Sequence, residues 1–119
     1  PGEQGGTYTA QPLGMTVGLT VLNAVLEDGF LDHVNEMGQY LLDQLSKLPV
    51  INCRGKGLLV GCDVTTNNAP DIAKKCMELG LLVNASSDET IRFIPALIVQ
   101  KEDIDNAISI LDKAMQSVN

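Results

Sequence analysis

The stretch from Leu81 to Ile94 reads LLVNASSDETIRFI, and it decides the fold class of this chain. Its two ends, 81–84 and 90–94, are short runs rich in apolar and β-branched residues, which is typical of strands. The residues between them, 85–89, are mostly small or polar and are typical of a turn. Two consecutive strands joined by so short a turn form a β-hairpin. The sequence therefore predicts a sheet that is at least partly antiparallel.

Helical patterns flank this hairpin on both sides. Apolar residues recur at helical spacing over 30–48 and over 102–118, which predicts two amphipathic helices. A shorter helix is predicted over 71–79 and a further strand over 58–64, within a segment that has too many glycines for a stable helix. Helices must cover one face of such a sheet to make a core. The predicted fold class is α+β, a small two-layer domain whose short sheet is covered by helices.

The first 29 residues have a different character. Residues 1–11 (PGEQGGTYTAQ) are rich in glycine and polar residues, which predicts a loop. From Leu13 to Leu26 (LGMTVGLTVLNAVL) apolar residues occupy nearly every face of the predicted helix, which indicates a buried or interface helix. We therefore expect two parts, a loop and interface helix over 1–29 and the α+β domain over 30–119. We also expect the isolated chain to self-associate through the helix 13–26.

Composition narrows the classes of function. Eight basic and fifteen acidic residues among 119 give a formal net charge of -7, which disfavours nucleic acid and anionic membranes as partners. No apolar run approaches the length that a bilayer requires. The three cysteines show no C-x-x-C spacing and are typical of packing residues in a reducing compartment, so we expect a cytoplasmic protein. With a single histidine as well, we expect no metal site.

A loop before the first helix is the first candidate site. It contains Gly5, Gly6 and Thr7, and glycine allows backbone N–H groups to approach an anion closely. The hydroxyl of Thr7 can donate a hydrogen bond to a phosphate oxygen. The segment matches neither the P-loop nor the G-x-G-x-x-G pattern, so an ordinary linker is the alternative.

Arg92 is the second candidate. It lies in the apolar run Ile91-Arg92-Phe93-Ile94-Pro95, where a guanidinium on a strand needs a partner, and a carboxylate held at two points is the best one. A rim arginine that pairs with a nearby Asp or Glu is the alternative. The third candidate, Arg54-Gly55-Lys56-Gly57, can hold phosphate, but its glycines more often mark a tight entry into a strand, and we favour that structural role.

Three segments carry a family pattern. Residues 1–13 are similar to P-G-x-H-G-S-T-[FY]-G-G-N-P-L, and Arg54 to Gly61 is similar to R-G-x-G-L-[ML]-x-G. Residues 80–97 are similar to G-[LV]-L-V-N followed by [IL]-R-[FL]-x-P-[PS]-L. In this order and at fitting distances, they resemble the C-terminal stretch of the class III aminotransferases, which have the pyridoxal-phosphate fold type I. Within that family the acetylornithine aminotransferases are the most similar.

The resemblance implies a homodimeric enzyme with pyridoxal 5'-phosphate as cofactor. Thr7, with Gly6 beside it, would bind the phosphate of this cofactor across the dimer interface, and Arg92 would hold the α-carboxylate of the amino-acid substrate. The lysine that binds the cofactor covalently and the aspartate that pairs with its pyridine nitrogen are expected upstream of Pro1. The six lysines of the chain fall mostly on predicted helix surfaces, and none has the character of such a nucleophile. No catalytic residue is therefore expected here, and the chain alone should be inactive.

The substrates that the resemblance implies are N-acetylornithine and 2-oxoglutarate, as in arginine biosynthesis. The sequence departs from the family pattern at Gln4, where histidine is common, and at Gly6, where a serine often contacts the substrate. Ornithine, succinylornithine or 4-aminobutyrate aminotransferases are therefore alternatives. A protein of another class, a free-standing regulatory α+β module in which Arg92 anchors an effector carboxylate, is a further alternative.

Overall fold

The computed structural model describes residues 5–66 and 68–118. Gln4 lies outside the described residues. The chain divides into two compact units, one that ends at Asp32 and one that begins at His33. Within the described ranges the elements, in chain order, are α1 (Pro12–Val25), α2 (Phe30–Leu45), β1 (Val50–Lys56), β2 (Leu59–Val64), α3 (Ala69–Glu78), β3 (Asn84–Ala85), β4 (Thr90–Phe93) and α4 (Lys101–Val118).

The four described strands form one sheet in the order β1-β2-β4-β3, and every neighbouring pair is antiparallel. The predicted α+β class and the antiparallel sheet are thereby confirmed. The helix α3 and the short strand β3 come between β2 and β4 in sequence, yet β2 and β4 are direct neighbours in the sheet.

Strand β1 is an element that the sequence analysis did not predict. The predicted strand at 58–64 is in fact the second arm of a hairpin, whose turn holds Gly57 at a φ of 52°. A bulge interrupts the pairing of β1 between Ile51 and Arg54, and Asn52 has a positive φ of 51°. None of the seven residues of β1 is buried. The alternation by which a strand is recognised in sequence is therefore missing from this one.

The predicted hairpin at 81–94 is present but shorter than expected. Its first strand was predicted over 81–84, whereas β3 contains only Asn84 and Ala85. The reason lies at the preceding helix end, where the amide of Leu81 donates a hydrogen bond of 2.8 Å to the carbonyl oxygen of Cys76 and holds the chain against α3. This bond continues the capping of α3 beyond Gly80, whose φ is 93°.

Two predicted helix boundaries are also corrected. Helix α2 ends at Leu45 rather than at 48, and the residues after it form a turn. Helix α3 begins at Ala69 rather than at 71, so the last two residues of the turn predicted over 67–70 belong to the helix. Proline in the first turn of α3 explains this shift, because its missing N–H is not needed there.

One side of the sheet forms the core. On β2 the residues Val60, Cys62 and Val64 are buried, and on β4 Ile91 and Phe93 are buried. The three helices of the second unit supply the other large buried side chains, which are Val34, Met37, Leu41, Leu45, Ile72, Cys76, Ile104, Leu111 and Met115. Burying one such aliphatic side chain contributes about 1.5–3 kcal/mol. The domain therefore has two layers, and the other side of the sheet stays accessible.

Two glycines allow α2 to approach the β1–β2 turn closely. A Cβ atom built on Gly38 would lie 2.5 Å from the carbonyl carbon of Gly57 and would overlap its carbonyl oxygen. No side chain fits at this position unless backbone moves. Gly38 thus sets how near the helix layer lies to the sheet.

Helix α1 belongs to the first unit and has no buried residue. Six of its large apolar side chains are exposed by between 53% (Leu22) and 69% (Leu13). Although α1 is apolar on most sides, no helix in the described part of the chain has both the length and the apolarity needed to cross a membrane.

Candidate functional site

The accessible side of the sheet carries a row of residues that crosses all four strands. Arg54 of β1 lies opposite Gly61 of β2, Gly61 lies opposite Arg92 of β4, and Arg92 lies opposite Asn84 of β3. Residues directly opposite on neighbouring strands share one side of a sheet. Two arginines therefore flank a glycine, with about 10 Å between their Cα atoms, as two interstrand spacings require.

Gly61 forms the floor of a groove between the two arginines. The groove has a volume of about 270 Å³, and it is lined by Arg54, Gly55, Leu59, Val60, Gly61, Ser86, Thr90 and Arg92. A Cβ atom on Gly61 would lie 3.5 Å from the carbonyl oxygen of Ile91, an ordinary contact. The backbone thus does not require glycine here. Its effect is to leave space above β2 at the point where both guanidinium groups border the groove.

Asp63 anchors the same side of the sheet. Its Oδ1 accepts hydrogen bonds from Nη2 of Arg54 at 2.9 Å and from Oγ1 of Thr90 at 2.7 Å, and its Oδ2 accepts one from Nδ2 of Asn52 at 3.1 Å. The Asp63 side chain is only 15% exposed, whereas that of Arg54 is 54% exposed. The carboxylate therefore joins β1, β2 and β4 through side chains as well as through the backbone ladder.

These contacts determine the charge of Asp63. The hydrogen bond from Arg54, followed by those from Thr90 and Asn52, lowers the pKa of the Asp63 carboxyl from 3.8 to about 2. Asp63 is thus a carboxylate at any pH near neutrality, and its charge is offset by the guanidinium of Arg54.

Arg92 differs from Arg54 in having no polar partner. Its side chain is on the exposed side of β4, and across residues 5–66 and 68–118 no ion pair or hydrogen bond involves its guanidinium. An arginine held on a strand with its planar fork free can bind a carboxylate through two parallel hydrogen bonds. An ion pair with a nearby acidic residue is the alternative for Arg92. Among the described residues it is Arg54 that makes such a pair, with Asp63.

The loop before α1 is described separately, since it belongs to the first unit. The amides of Thr9 and Gln11 donate to the carbonyl oxygens of Gly6 and Tyr8, at 3.1 and 3.3 Å, so that the loop consists of two consecutive turns. Thr7 is exposed, and its hydroxyl and amide make no hydrogen bond within the described ranges. The loop therefore presents donors that an anion can use.

The contributions of Asp63 and Thr90 are not predicted from the sequence. The ion pair of Arg54 with Asp63 agrees with the structural role that we favour for Arg54. The signal that would have found the acid is the alternation of β2, which places Asp63 on the same side as Gly61. The partner strand and its register were needed as well. Of the cysteines, Cys62 and Cys76 are buried free thiols, which confirms them as packing residues.

A second cavity, of about 210 Å³, lies at the other end of β4. Its lining is almost entirely apolar, with Asp103 as the single charged residue among Leu41, Leu81, Leu82, Phe93, Ile94, Pro95, Val99, Ile104 and Ala107. It offers no grouping of donors or acceptors, so the groove between the two arginines is the better candidate site.

Known proteins resemble this chain over almost its whole length. The family model described as Aminotransferase class-III matches residues 1–115. An acetylornithine aminotransferase from Caldanaerobacter subterraneus subsp. tengcongensis is 42% identical over 123 aligned positions, which cover 99% of this chain and 31% of that protein. An ornithine aminotransferase from Brevibacillus brevis is 38% identical over 111 positions, which cover 91% of this chain and 28% of that protein.

The fold matches solved structures as well. An ornithine aminotransferase from Plasmodium yoelii superimposes with a TM-score of 0.80 at 30% identity, over 100% of this chain and 34% of that one. The chain thus spans about a third of the length of the relatives that it matches. The match to the family model extends from the loop before α1 into α4. On these grounds, the chain belongs to the class III aminotransferases.

Proposed function

We propose that this chain is the C-terminal part of an acetylornithine-type aminotransferase. This enzyme would transfer an amino group between N-acetylornithine and 2-oxoglutarate in arginine biosynthesis. The observation that carries the proposal is the guanidinium of Arg92, which lies beside a groove and has no polar partner among residues 5–66 and 68–118. The carbon of 2-oxoglutarate that accepts the amino group carries an α-carboxylate, for which this side chain is the matching receptor. Similarity to the acetylornithine aminotransferase from Caldanaerobacter supports the choice of substrate.

The cofactor of the proposed enzyme is pyridoxal 5'-phosphate, as is usual for this family. Bound to the intact enzyme, it supplies the electron sink of the transamination. The residues present fit its phosphate. In the part of the chain that the structure describes, the hydroxyl and the amide of Thr7 make no hydrogen bond, and no atom lies within 4 Å of the place that a Cβ of Gly5 would take. Thr7, with Gly6 beside it, would donate hydrogen bonds to the phosphate of the partner subunit's cofactor in a homodimer.

Residues 1–29 would then form the cofactor loop and interface helix, and residues 30–119 the small domain. The nearby division of the chain at Asp32 supports this assignment. The exposed apolar side chains of α1 support an interface. The three free thiols support a reducing, cytoplasmic location.

The covalent bond to the cofactor would be made by a lysine outside this chain. None of the six lysines is buried, and a lysine that must lose its proton near neutral pH needs a desolvated site. The isolated chain should therefore be inactive as a transaminase. Borohydride reduction of the intact enzyme with its cofactor, followed by peptide mapping, should label no lysine of residues 1–119. A labelled lysine within them would contradict this assignment.

Arg92→Lys in the intact enzyme tests the role of the guanidinium. Lysine keeps the positive charge but loses the planar fork, so substrate binding should weaken by about 1.5–3 kcal/mol, the worth of a hydrogen bond to a charged group. Steady-state kinetics should show a higher KM for 2-oxoglutarate, while titration with the cofactor should give an unchanged affinity. If cofactor affinity falls and KM does not change, Arg92 does not hold the carboxylate.

An ornithine aminotransferase is the second candidate, because proteins of that name match nearly as much of the chain. Succinylornithine and 4-aminobutyrate are further donors to compare. Arg92 would bind the α-carboxylate of 2-oxoglutarate whichever donor is used, so the groove does not discriminate among the donors. Comparing kcat/KM for these donors in the intact enzyme decides the matter. A free-standing regulatory module would bind carboxylates through Arg92 and transfer no amino group from any of them.

A further inference from the structure

Asp63 is the acidic side chain on the sheet that lies near Arg92. It is directly opposite Thr90 in the β2–β4 ladder, and Arg92 follows two residues later on the same side of β4. Such a diagonal pair is separated by about 7–8 Å, which the long side chain of an arginine can span. A carboxylate and a guanidinium at this distance would ordinarily form a cross-strand ion pair.

That ion pair is absent from the described residues, because Asp63 is already occupied. Arg54 reaches Oδ1 of Asp63 from β1, the strand on the opposite edge of β2 from β4, with its Nη2 at 2.9 Å. Thr90 and Asn52 donate further hydrogen bonds to the same carboxylate. Arg54 is itself fixed, because its Nη1 donates to the backbone oxygen of Asn52 at 2.8 Å. The bulge of β1 presents that oxygen to the guanidinium. The pairing is therefore built into the backbone of the edge strand.

We propose that Arg54 is a positioning residue, which occupies Asp63 and so keeps the guanidinium of Arg92 available for a substrate carboxylate. This inference rests on the proposed function, because it assumes that Arg92 holds a carboxylate. Arg54 touches no substrate in this scheme and acts only through Asp63.

The electrostatics of the site agree with this role. The pKa of Asp63 is lowered to about 2, so the group stays negative over the whole range in which an enzyme works. If Arg54 were removed, this charge would remain, and the nearest cation on the same side of the sheet would be Arg92. Binding a substrate carboxylate would then require breaking an internal ion pair first, which weakens binding without altering the chemical step.

Three variants of the intact enzyme test the proposal: Arg54→Met, Arg54→Lys and the double variant Arg54→Met with Asp63→Asn. The measurements are KM and kcat for 2-oxoglutarate and calorimetric titration of the cofactor-free protein with propionate, a monocarboxylate. Arg54→Met should raise KM and the propionate Kd by about tenfold with kcat nearly unchanged, as expected when one charge-assisted interaction is diverted. Arg54→Lys keeps a cation on Asp63 and should stay within about threefold of the parent.

The double variant is decisive. Once Asp63 is neutral, no acidic side chain of this sheet competes for Arg92, so KM and the propionate Kd should return to within about threefold of the parent values. Failure of this rescue, or an Arg54→Met variant that binds both ligands normally, would overturn the proposal. An effect of Arg54→Met on 2-oxoglutarate but not on propionate would show that Arg54 contacts the second carboxylate directly, and would also overturn it.

Two controls separate the possible failures. Urea unfolding of each variant shows whether a loss of binding is only a loss of folded protein, in which case the double variant would be no better than Arg54→Met. Arg92→Lys is titrated with propionate in parallel. If it binds propionate normally, the proposed function fails together with this inference. If it binds weakly while Arg54→Met binds normally, only the role of Arg54 is refuted.

Discussion

Replacing Gly38 by alanine should destabilise the α+β domain, although alanine is the better helix former. Gly38 lies in the third turn of α2, where it faces the β1–β2 turn. The added methyl group would overlap the carbonyl oxygen of Gly57, and both atoms involved are fixed to backbone. No rotation of a side chain can relieve this contact. Helix α2 must move away from the sheet, or the β1–β2 turn must change its conformation.

The expected loss follows from two opposing terms. Alanine in a helix interior gains about 0.8–1 kcal/mol over glycine, whereas forcing an extra methyl group into a packed core costs about 1–3 kcal/mol and occasionally more. Moving Gly57 is difficult because its φ of 52° is set by the hairpin turn. Since a backbone carbonyl cannot yield as a side chain would, the overpacking term should lie at its upper end. We therefore expect a net loss of about 1–2 kcal/mol in the free energy of unfolding.

Urea unfolding of the isolated chain, followed by circular dichroism, measures this loss. For a domain of this size, 1 kcal/mol corresponds to about 4–8 °C in the melting temperature. Asn35→Ala is the matched control, because Asn35 is exposed on the same helix and its replacement raises helix propensity without adding a buried group. The control should be slightly more stable than the parent chain. If Gly38→Ala is as stable as Asn35→Ala, the close approach of α2 to Gly57 does not exist in solution.

Two further predictions concern association and pH. The isolated chain should form dimers or larger oligomers at micromolar concentration through α1. The double substitution Leu19→Glu with Leu22→Glu should shift it to a monomer, since both side chains are more than half exposed. Light scattering that shows a monomer for the parent chain would contradict this. The second prediction is that Asp63 contributes stability fully above its ordinary pKa of 3.8 and loses that contribution as the pH falls towards about 2. The difference in unfolding free energy between the parent chain and Asp63→Asn should therefore be constant from about pH 6 to 8 and shrink below about pH 4, and a difference that persists to pH 2 would refute the assigned ionisation.

Helices α2, α3 and α4 could be predicted well from the sequence because each buries one stripe of its surface. The pattern over 30–48 has a single period, and the structure corrects only its end, to Leu45. Strand β1 could not be predicted in the same way. Its residues are not buried and a bulge disrupts their alternation, so it bears no periodic signal. What forms β1 is its pairing with β2, a tertiary property that a local window of sequence does not contain.

The candidate site, too, could be predicted only in part from the sequence. Arg92 could be singled out because a charge inside an apolar strand is unusual in itself. The importance of Asp63 could not be seen, because its partners come from 52–54 and from Thr90, far apart in sequence. Only the strand order β1-β2-β4 places those groups on both sides of Asp63. The assignment of Thr7 came from the family resemblance and remains a prediction.

Both edges of the sheet are poor templates for the addition of a strand from another molecule. One edge is β1, which is bulged and carries the charged side chains of Arg54 and Lys56. The other edge is β3, which is only two residues long. Bulges, edge charges and very short edge strands are the means by which β-proteins avoid edge-to-edge aggregation. At high concentration, molecules of this chain should therefore associate through their helices, with the strand content unchanged. Amyloid-like fibres should not form through this sheet.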